Sequence, residues 1–217
     1  MLDGILVKNY TPAPFDKREI LRYAGCKEGN EGLDALVNEC LAESEKAFSY
    51  RVCFRTLRIE DFFRIFGGES EGLFKRLCGC EYAVIFAATV GLEIDRLMMK
   101  YANTAVTKGL FLQAIGAERI ESLCEAFCED IAVQAKEKGY FARPRFSAGY
   151  GDFPLEKQRE FFTLLDCGRT IGVSLTDSLL MTPTKSVTAV IGLGKTEKEY
   201  KTDCAACEKT DCTARIE

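Results

Sequence analysis

Histidine is absent from the 217-residue chain, and so is tryptophan. Without histidine the chain has no Ser-His or Cys-His nucleophile, no imidazole ligand for zinc, and no histidine ligand for a haem or a corrinoid. The absence of tryptophan excludes less. A large group of histidine-dependent enzyme mechanisms and metal sites is therefore ruled out by composition alone.

Long apolar runs and basic blocks are also missing. The longest nearly apolar run covers residues 82–92, far short of the roughly 20 residues of a membrane-spanning helix. The N-terminal stretch MLDGILVKNY lacks the basic segment and apolar run of a signal peptide. A net charge of −4 and a pI near 5.2 argue against a nucleic-acid partner, since such binding uses a basic surface. We therefore expect a soluble, cytoplasmic protein that binds neither membranes nor nucleic acids.

Cysteine, by contrast, is abundant, with eleven residues. Without a secretion signal these are expected to be free thiols or metal ligands. The C-terminal segment places three of them with two and then four residues between neighbours: Cys204, Cys207 and Cys212. This spacing allows one zinc ion or iron–sulfur cluster to be bound, but a redox dithiol or a thiol-rich surface tail fits as well. A fourth ligand is not evident. Cys78, Cys80 or Cys167 could supply it, and so could a residue other than cysteine; these three cysteines are otherwise interpreted as small buried hydrophobic residues.

The pattern of apolar residues predicts an α+β fold. Helical periodicity covers residues 16–25, with Asp16 as N-cap, and then 30–48, 70–77, 105–138 and 155–165. A further helix is expected between residue 91 and Asn103. Strand-like runs cover residues 49–60, 82–88, 173–180 and 186–193. In the first run the apolar side changes at Leu57 and Ile59, which indicates a bulge or a strand end near Thr56. Some strands are joined by hairpins, which favours an antiparallel sheet. We predict one domain over residues 1–200 and a Cys-rich tail over 201–217.

The stretch GLGKT at residues 192–196 resembles part of a phosphate-binding loop. That motif requires a glycine where this chain has Ala189, and it requires a strong helix afterwards. We interpret the stretch as a strand end followed by a flexible turn.

The stretch RFSAGYGDFP, residues 145–154, is the most informative. Arg145 offers a planar fork for a carboxylate, and Tyr150 offers a ring and a hydroxyl. Gly149 and Gly151 permit positive φ angles, which are expected to expose backbone amides to a ligand. A structural turn with an incidental surface arginine explains the same residues equally well.

Two glutamates on the long predicted helix form a second candidate feature. Glu121 and Glu125 lie one helical turn apart and share a face. A solvated acidic face is the simpler interpretation, and the pair contributes to function only if this face borders a site.

The segment that begins with RFSAGYGDFP resembles the C-terminal activation domain of cobalamin-dependent methionine synthase. The resemblance also includes the upstream stretches ATVGLEIDRL and GAERIESLCEAF, so it covers most of residues 80–193. The matching residues run in order over about forty positions: Arg145 with Ala148-Gly149-Tyr150, Ile171-Gly172, Leu175-Thr176-Asp177-Ser178, Met181, Pro183 and Ser186-Val187.

The resemblance implies a curved antiparallel sheet with flanking helices and a role in reductive activation. Such a domain binds S-adenosylmethionine and presents its methyl group to cobalamin carried by another domain. As a separate chain, this protein would serve a methionine synthase core that lacks its own activation domain. The reaction would also need a reductant such as flavodoxin or ferredoxin. The alternatives are a reductive activator of another corrinoid protein that uses a C-terminal metal or iron–sulfur site, and a scaffold that binds no ligand.

The resemblance also implies a set of ligand-binding residues, with no catalytic side chain. Arg145 would hold the carboxylate of S-adenosylmethionine, and Ala148, Gly149 and Tyr150 would line its site. Glu125, matched through a Glu-Ala-Phe step, and Glu121 would contact the ammonium group or the ribose hydroxyls. Three departures are visible: Ala148 replaces the usual proline, the acidic residue beside a tryptophan has no counterpart, and an aromatic pair is matched loosely by Tyr200. The Cys-rich tail is absent from the large synthases and would be an accessory metal site or an electron-entry point.

Overall fold

A computed structural model of the chain describes residues 4–11, 13–26 and 31–198, which form a mixed helix and strand fold. Its centre is a curled antiparallel sheet of five strands in the order β1-β2-β3-β7-β4. The strands are β1 Leu6–Asn9, β2 Arg51–Arg58, β3 Cys80–Thr89, β4 Phe141–Ala142 and β7 Ser186–Gly194. A separate hairpin pairs β5 Ser174–Leu175 with β6 Met181–Thr182. The curved antiparallel sheet expected from the sequence is confirmed.

The described residues also form eight α-helices and two short 3₁₀ segments. The helices are α1 Lys17–Tyr23, α2 Glu31–Ser44, α3 Ile59–Phe66, α4 Glu71–Leu77, α5 Glu93–Tyr101, α6 Val106–Glu137, α7 Gln158–Leu165 and α8 Cys167–Thr170. The 3₁₀ segments are Glu45–Ala47 and Leu155–Lys157. Within the described residues, no helix combines the length and the apolar character needed to cross a membrane.

The sheet separates two apolar cores because successive strand residues point to opposite faces. On one face, Phe86 of β3 packs with Phe127 of the long helix α6, with ring centroids 4.6 Å apart. On the other face, the neighbouring Ile85 belongs to a cluster with Phe62 of α3 and Phe161 of α7. The sheet is thus held between α6 and its neighbouring helices on one side and the short helices on the other.

The edge of the sheet beside β7 positions the loop that the sequence singles out. After β4 ends at Ala142, the chain continues alongside β7: the Arg143 amide donates to the Gly192 carbonyl at 2.8 Å. Phe146 and Val190 then exchange two backbone hydrogen bonds of 2.9 Å. Arg145 therefore lies on a fixed stretch of backbone, one residue before this bridge.

Most elements with strong periodicity were predicted correctly. The long helix expected over 105–138 is α6, and the strands expected over 82–88 and 186–193 are β3 and β7. The expected N-cap is also present, since the Asp16 side chain accepts a hydrogen bond from the Arg18 amide at 2.9 Å at the start of α1. The GLGKT stretch is the end of β7 with the turn that follows it, as interpreted from the sequence.

Two local predictions were wrong. The strand expected over 173–180 is a two-residue strand followed by a turn, in which the Thr176 hydroxyl accepts from the Leu180 amide at 3.0 Å and so closes the chain on itself. The strand expected over 49–60 ends at Arg58, and Ile59 begins α3. The change of apolar side at Leu57 and Ile59 indicated an end near Thr56, two residues before the observed end. The helix α3 itself was not predicted, and the buried pair Phe62 and Phe66, four residues apart, is its helical signal.

Candidate functional site

The loop between Ser147 and Phe153 is held by its own backbone. The Gly149 amide donates to the Phe153 carbonyl at 2.8 Å, and the Tyr150 amide donates to the Ser147 carbonyl at 3.3 Å. Gly149 has a φ of +89°, and a Cβ atom there would lie 3.0 Å from the Leu155 side chain. The positive φ favours glycine here, and a side chain would also need the Leu155 side chain to shift. The loop itself uses the amides of Gly149 and Tyr150, so the expectation that this glycine-rich turn exposes its backbone amides to a ligand is wrong for these two.

An aspartate fastens the far end of this loop to the start of α4. The Asp152 carboxylate accepts from the Ser70 hydroxyl at 2.5 Å and from the Gly72 amide at 3.2 Å. These hydrogen bonds lower the pKa of the Asp152 carboxyl group. Ala148 is 5% exposed and packs with Phe153 and Phe161 in the core on the second face of the sheet. The contacts of Asp152 and Ala148 together anchor the loop.

Arg145 and Glu121 form an ion pair at the edge of the sheet. The guanidinium Nη2 of Arg145 donates to Oε2 of Glu121 on α6, and the two side chains are 27% and 36% exposed. Burial alone would lower the pKa of Arg145, but the neighbouring acidic groups, Glu121 among them, raise it above its ordinary value. The site therefore presents a permanent cation beside an acidic side chain, with part of each accessible to solvent.

A cavity of about 500 Å³ opens beside this ion pair. Its wall is formed by Glu121 of α6, most of the segment that follows β4, the start of β7 and two further side chains. The lining residues are Glu121, Pro144, Arg145, Phe146, Ser147, Ala148, Tyr150, Gln158, Met181, Ser186, Val187 and Thr188. Charged, hydroxyl, aromatic and aliphatic groups converge here, and the volume falls in the range of small-molecule sites.

The structure brings four of the six proposed ligand-binding residues to the cavity wall: Glu121, Arg145, Ala148 and Tyr150. Gly149 shapes the turn between Ala148 and Tyr150 but is not part of the wall. Glu125 lies one turn along α6, outside the wall.

Sequence reasoning gave no site role to Gln158 or Thr188, both of which line the cavity. They are 6% and 2% exposed. A polar residue on the inward face of a helix or strand is the signal that could have identified them.

Glu125 and Cys128 lie on α6 near this site, and the charge of Arg145 lowers the pKa of both groups. Burial raises the pKa of the Glu125 carboxyl group, and the Arg145 charge only partly offsets this. Burial likewise raises the pKa of the Cys128 thiol to about 11, so it is neutral at physiological pH. Neither group shows a hydrogen bond or ion pair among the described residues. Glu125 is thus a carboxylate close to Arg145 that a cationic ligand would stabilise.

The second candidate site, formed by Cys204, Cys207 and Cys212, lies outside the described residues. Within residues 4–11, 13–26 and 31–198, no group of three or more Cys, Asp or Glu side chains is placed to hold a metal ion.

Fold and cavity together define a class of protein, an α+β domain with a cavity of about 500 Å³ beside the edge of a curled antiparallel sheet. The family model of the vitamin B12 dependent methionine synthase activation domain matches residues 75–214, more than half of the chain. The chain belongs to this family.

The fold is also found among solved structures. The crystal structure of the MetH reactivation domain bound to AdoHcy is similar, with a TM-score of 0.62 and 16% sequence identity, covering 91% of this chain and 80% of that chain. No curated protein matches the sequence. The similarity expected from the ordered motifs over residues 145–187 is confirmed by the family match.

Proposed function

We propose that this chain binds S-adenosylmethionine in the cavity beside Arg145 and delivers its methyl group to reduced cobalamin held by a separate methionine synthase core. The observation that carries the proposal is the Arg145–Glu121 pair on the wall of a cavity of about 500 Å³. Family membership supports the role, and the solved domain of the same fold was crystallised with AdoHcy.

The charges of the site complement an amino-acid group of this kind. The planar guanidinium of Arg145 can bind the ligand's carboxylate through two parallel hydrogen bonds. Glu121, released from Arg145 by that exchange, can then accept from the ligand's ammonium group. One ion pair within the protein is replaced by two ion pairs with the ligand, so no buried charge is left unpaired.

Methyl transfer from S-adenosylmethionine requires the protein mainly to position the reactants. A sulfonium is already an activated methyl donor, so binding and orientation are the protein's contributions. The chain has no histidine, so the histidine ligand of a corrinoid must come from the partner. We assign no catalytic side chain for this reason.

Substituting Tyr150 tests whether its ring contacts the nucleoside. Tyr150 is 68% exposed and lines the cavity. We expect Tyr150→Ala to weaken binding of S-adenosylmethionine about tenfold, because stacking on a base contributes roughly 1–3 kcal/mol. Tyr150→Phe keeps the ring and should bind within about twofold of wild type. Isothermal titration calorimetry measures both. Equal losses in the two variants would assign the contact to the hydroxyl instead.

Lowering the pH is expected to weaken binding through Glu125. Its raised pKa means that this carboxylate becomes protonated at a higher pH than an ordinary glutamate. At and above neutral pH the charged form attracts the cationic ligand, and the attraction is lost as the pH falls through the raised pKa. As the pH is lowered from neutral towards the ordinary glutamate value of 4.5, we expect about a threefold larger loss of affinity in wild type than in Glu125→Gln. Parallel pH profiles in the two proteins would contradict this role.

The further partners follow from the same proposal. Methyl transfer requires cobalamin one electron more reduced than the inactive cob(II) form, so a reductant such as flavodoxin or ferredoxin would act together with this chain. All eight cysteines among the described residues are free thiols, which supports a reducing, cytoplasmic setting. Another corrinoid protein could use the same methyl donor, and the Cys-rich C-terminal segment is the feature that favours that alternative.

A further inference from the structure

Two side-chain oxygens in the cavity wall have no hydrogen-bond partner. Within the part of the chain that the structure describes, the buried side-chain oxygens in this condition are Oε1 of Gln158 and Oγ1 of Thr188. Both residues line the cavity beside Arg145. A buried polar group without a partner destabilises the folded chain, so native proteins pair nearly all of them. Two such oxygens in the wall of one cavity therefore indicate a ligand that supplies the missing hydrogen bonds.

The fold places these two residues away from the ion pair of the cavity. Thr188 and Val190 are two residues apart on β7, so their side chains share a face of the sheet, and Val190 belongs to the core on the second face. Gln158 begins α7, which packs into that same core. The Arg145–Glu121 pair instead lies towards α6, on the first face. The cavity therefore has a charged end towards α6 and a neutral polar end towards α7.

We infer that Gln158 and Thr188 bind the 6-amino edge of the adenine ring of S-adenosylmethionine. The inference rests on the proposed function, which assigns the amino-acid group of the ligand to the charged end and so leaves the nucleoside for the neutral end. Adenine carries an amino donor beside ring-nitrogen acceptors, and a glutamine amide pairs with this pattern through two hydrogen bonds. The Thr188 hydroxyl can donate to a further ring nitrogen. Both unpaired oxygens are then satisfied by one planar group.

Selectivity for a purine with a 6-amino group follows from this contact. An analogue of S-adenosylmethionine with hydrogen in place of that amino group keeps the amino acid, the sulfonium and the ribose. It leaves Oε1 of Gln158 buried without a donor, and sites built around a hydrogen bond discriminate strongly against ligands that cannot form it. We expect wild type to bind S-adenosylmethionine at least about tenfold more tightly than this 6-deamino analogue.

The test is calorimetric titration of both ligands into the full-length chain and three variants. Gln158→Met and Thr188→Val replace each polar side chain by an apolar one of similar size. In Gln158→Met the two ligands should bind within about twofold of each other, because the protein no longer offers a partner for the amino group. In Thr188→Val the preference should fall to about threefold. Gln113→Met, at an exposed position of α6, should keep the full preference of wild type.

Thermal unfolding of the ligand-free proteins separates ligand recognition from a structural role. Removing a buried oxygen that has no partner should leave the melting temperature of Gln158→Met and Thr188→Val unchanged or raise it by about 2–4 °C. A lower melting temperature in both variants would assign the two side chains to the stability of the fold instead.

The titrations also distinguish failure of this inference from failure of the proposed function. Equal affinity of wild type for the two ligands, or a preference that persists in both Gln158→Met and Thr188→Val, would overturn the adenine contact and leave the proposed function intact. A wild-type chain that binds neither ligand would contradict the proposed function, and the adenine contact with it.

Discussion

Replacing Arg145 by alanine is expected to weaken binding of S-adenosylmethionine by about 100-fold, since truncating one partner of a partly buried charge pair costs about 2–5 kcal/mol. The variant loses the carboxylate contact and leaves Glu121 without its partner, so the site becomes net acidic. Arg145→Lys keeps the charge but not the planar fork and should fall between alanine and wild type. Isothermal titration calorimetry gives all three dissociation constants.

Arg169→Ala is the matched control for this experiment. The Arg169 side chain is 89% exposed and forms a surface ion pair with Asp166, and such pairs contribute little. We expect wild-type binding and wild-type stability from this variant. If Arg145→Ala binds S-adenosylmethionine as strongly as wild type and Arg169→Ala do, then Arg145 does not contact the ligand. The proposed orientation of the ligand would then be wrong.

Replacing Phe127 by alanine is expected to lower the free energy of unfolding by about 3–5 kcal/mol, because it opens a cavity in a packed aromatic cluster. Phe127 is fully buried on α6, with ring centroids 4.6 Å from Phe86, 5.2 Å from Phe54 and 6.5 Å from Tyr10. The corresponding decrease in melting temperature is about 10 °C for a chain of this size. Thermal and denaturant unfolding both measure the loss.

Val133→Ala tests whether this loss is specific to the core. Val133 lies on the same helix, and it is 60% exposed. We expect its substitution to change stability by less than about 0.5 kcal/mol. Because α6 carries Glu121 and Glu125, Phe127→Ala should also weaken S-adenosylmethionine binding, whereas Val133→Ala should not. A stable Phe127→Ala protein would show that the sheet does not depend on this helix for its main core.

Local sequence patterns were sufficient where an element is long or marked by a cap. The 32 residues of α6 repeat their apolar positions over many turns, and Asp16 marks the start of α1. Local patterns were insufficient to predict β1 and β4, which have only four and two residues. Such short stretches become strands only through hydrogen bonds to β2 and β7, distant partners that a local pattern does not contain.

The site was predictable in part, for a related reason. Arg145 and Tyr150 stand in a motif whose residue types suggest their role, and the family resemblance strengthened that prediction. The pairing of Arg145 with Glu121 joins residues 24 positions apart, and Asp152 reaches Ser70 across 82. Contacts of this kind depend on how α6, α4 and β7 pack together.

The most direct test of the proposed function is reactivation of an oxidised methionine synthase core that lacks an activation domain. The core in its inactive cob(II) state is incubated anaerobically with reduced flavodoxin, methyl-labelled S-adenosylmethionine and this chain, and labelled methylcobalamin is measured. We predict label transfer with wild type and loss of at least about 90% of it with Arg145→Ala. Failure of the wild-type chain to bind S-adenosylmethionine, or label transfer equally fast without the chain, would contradict the proposed function.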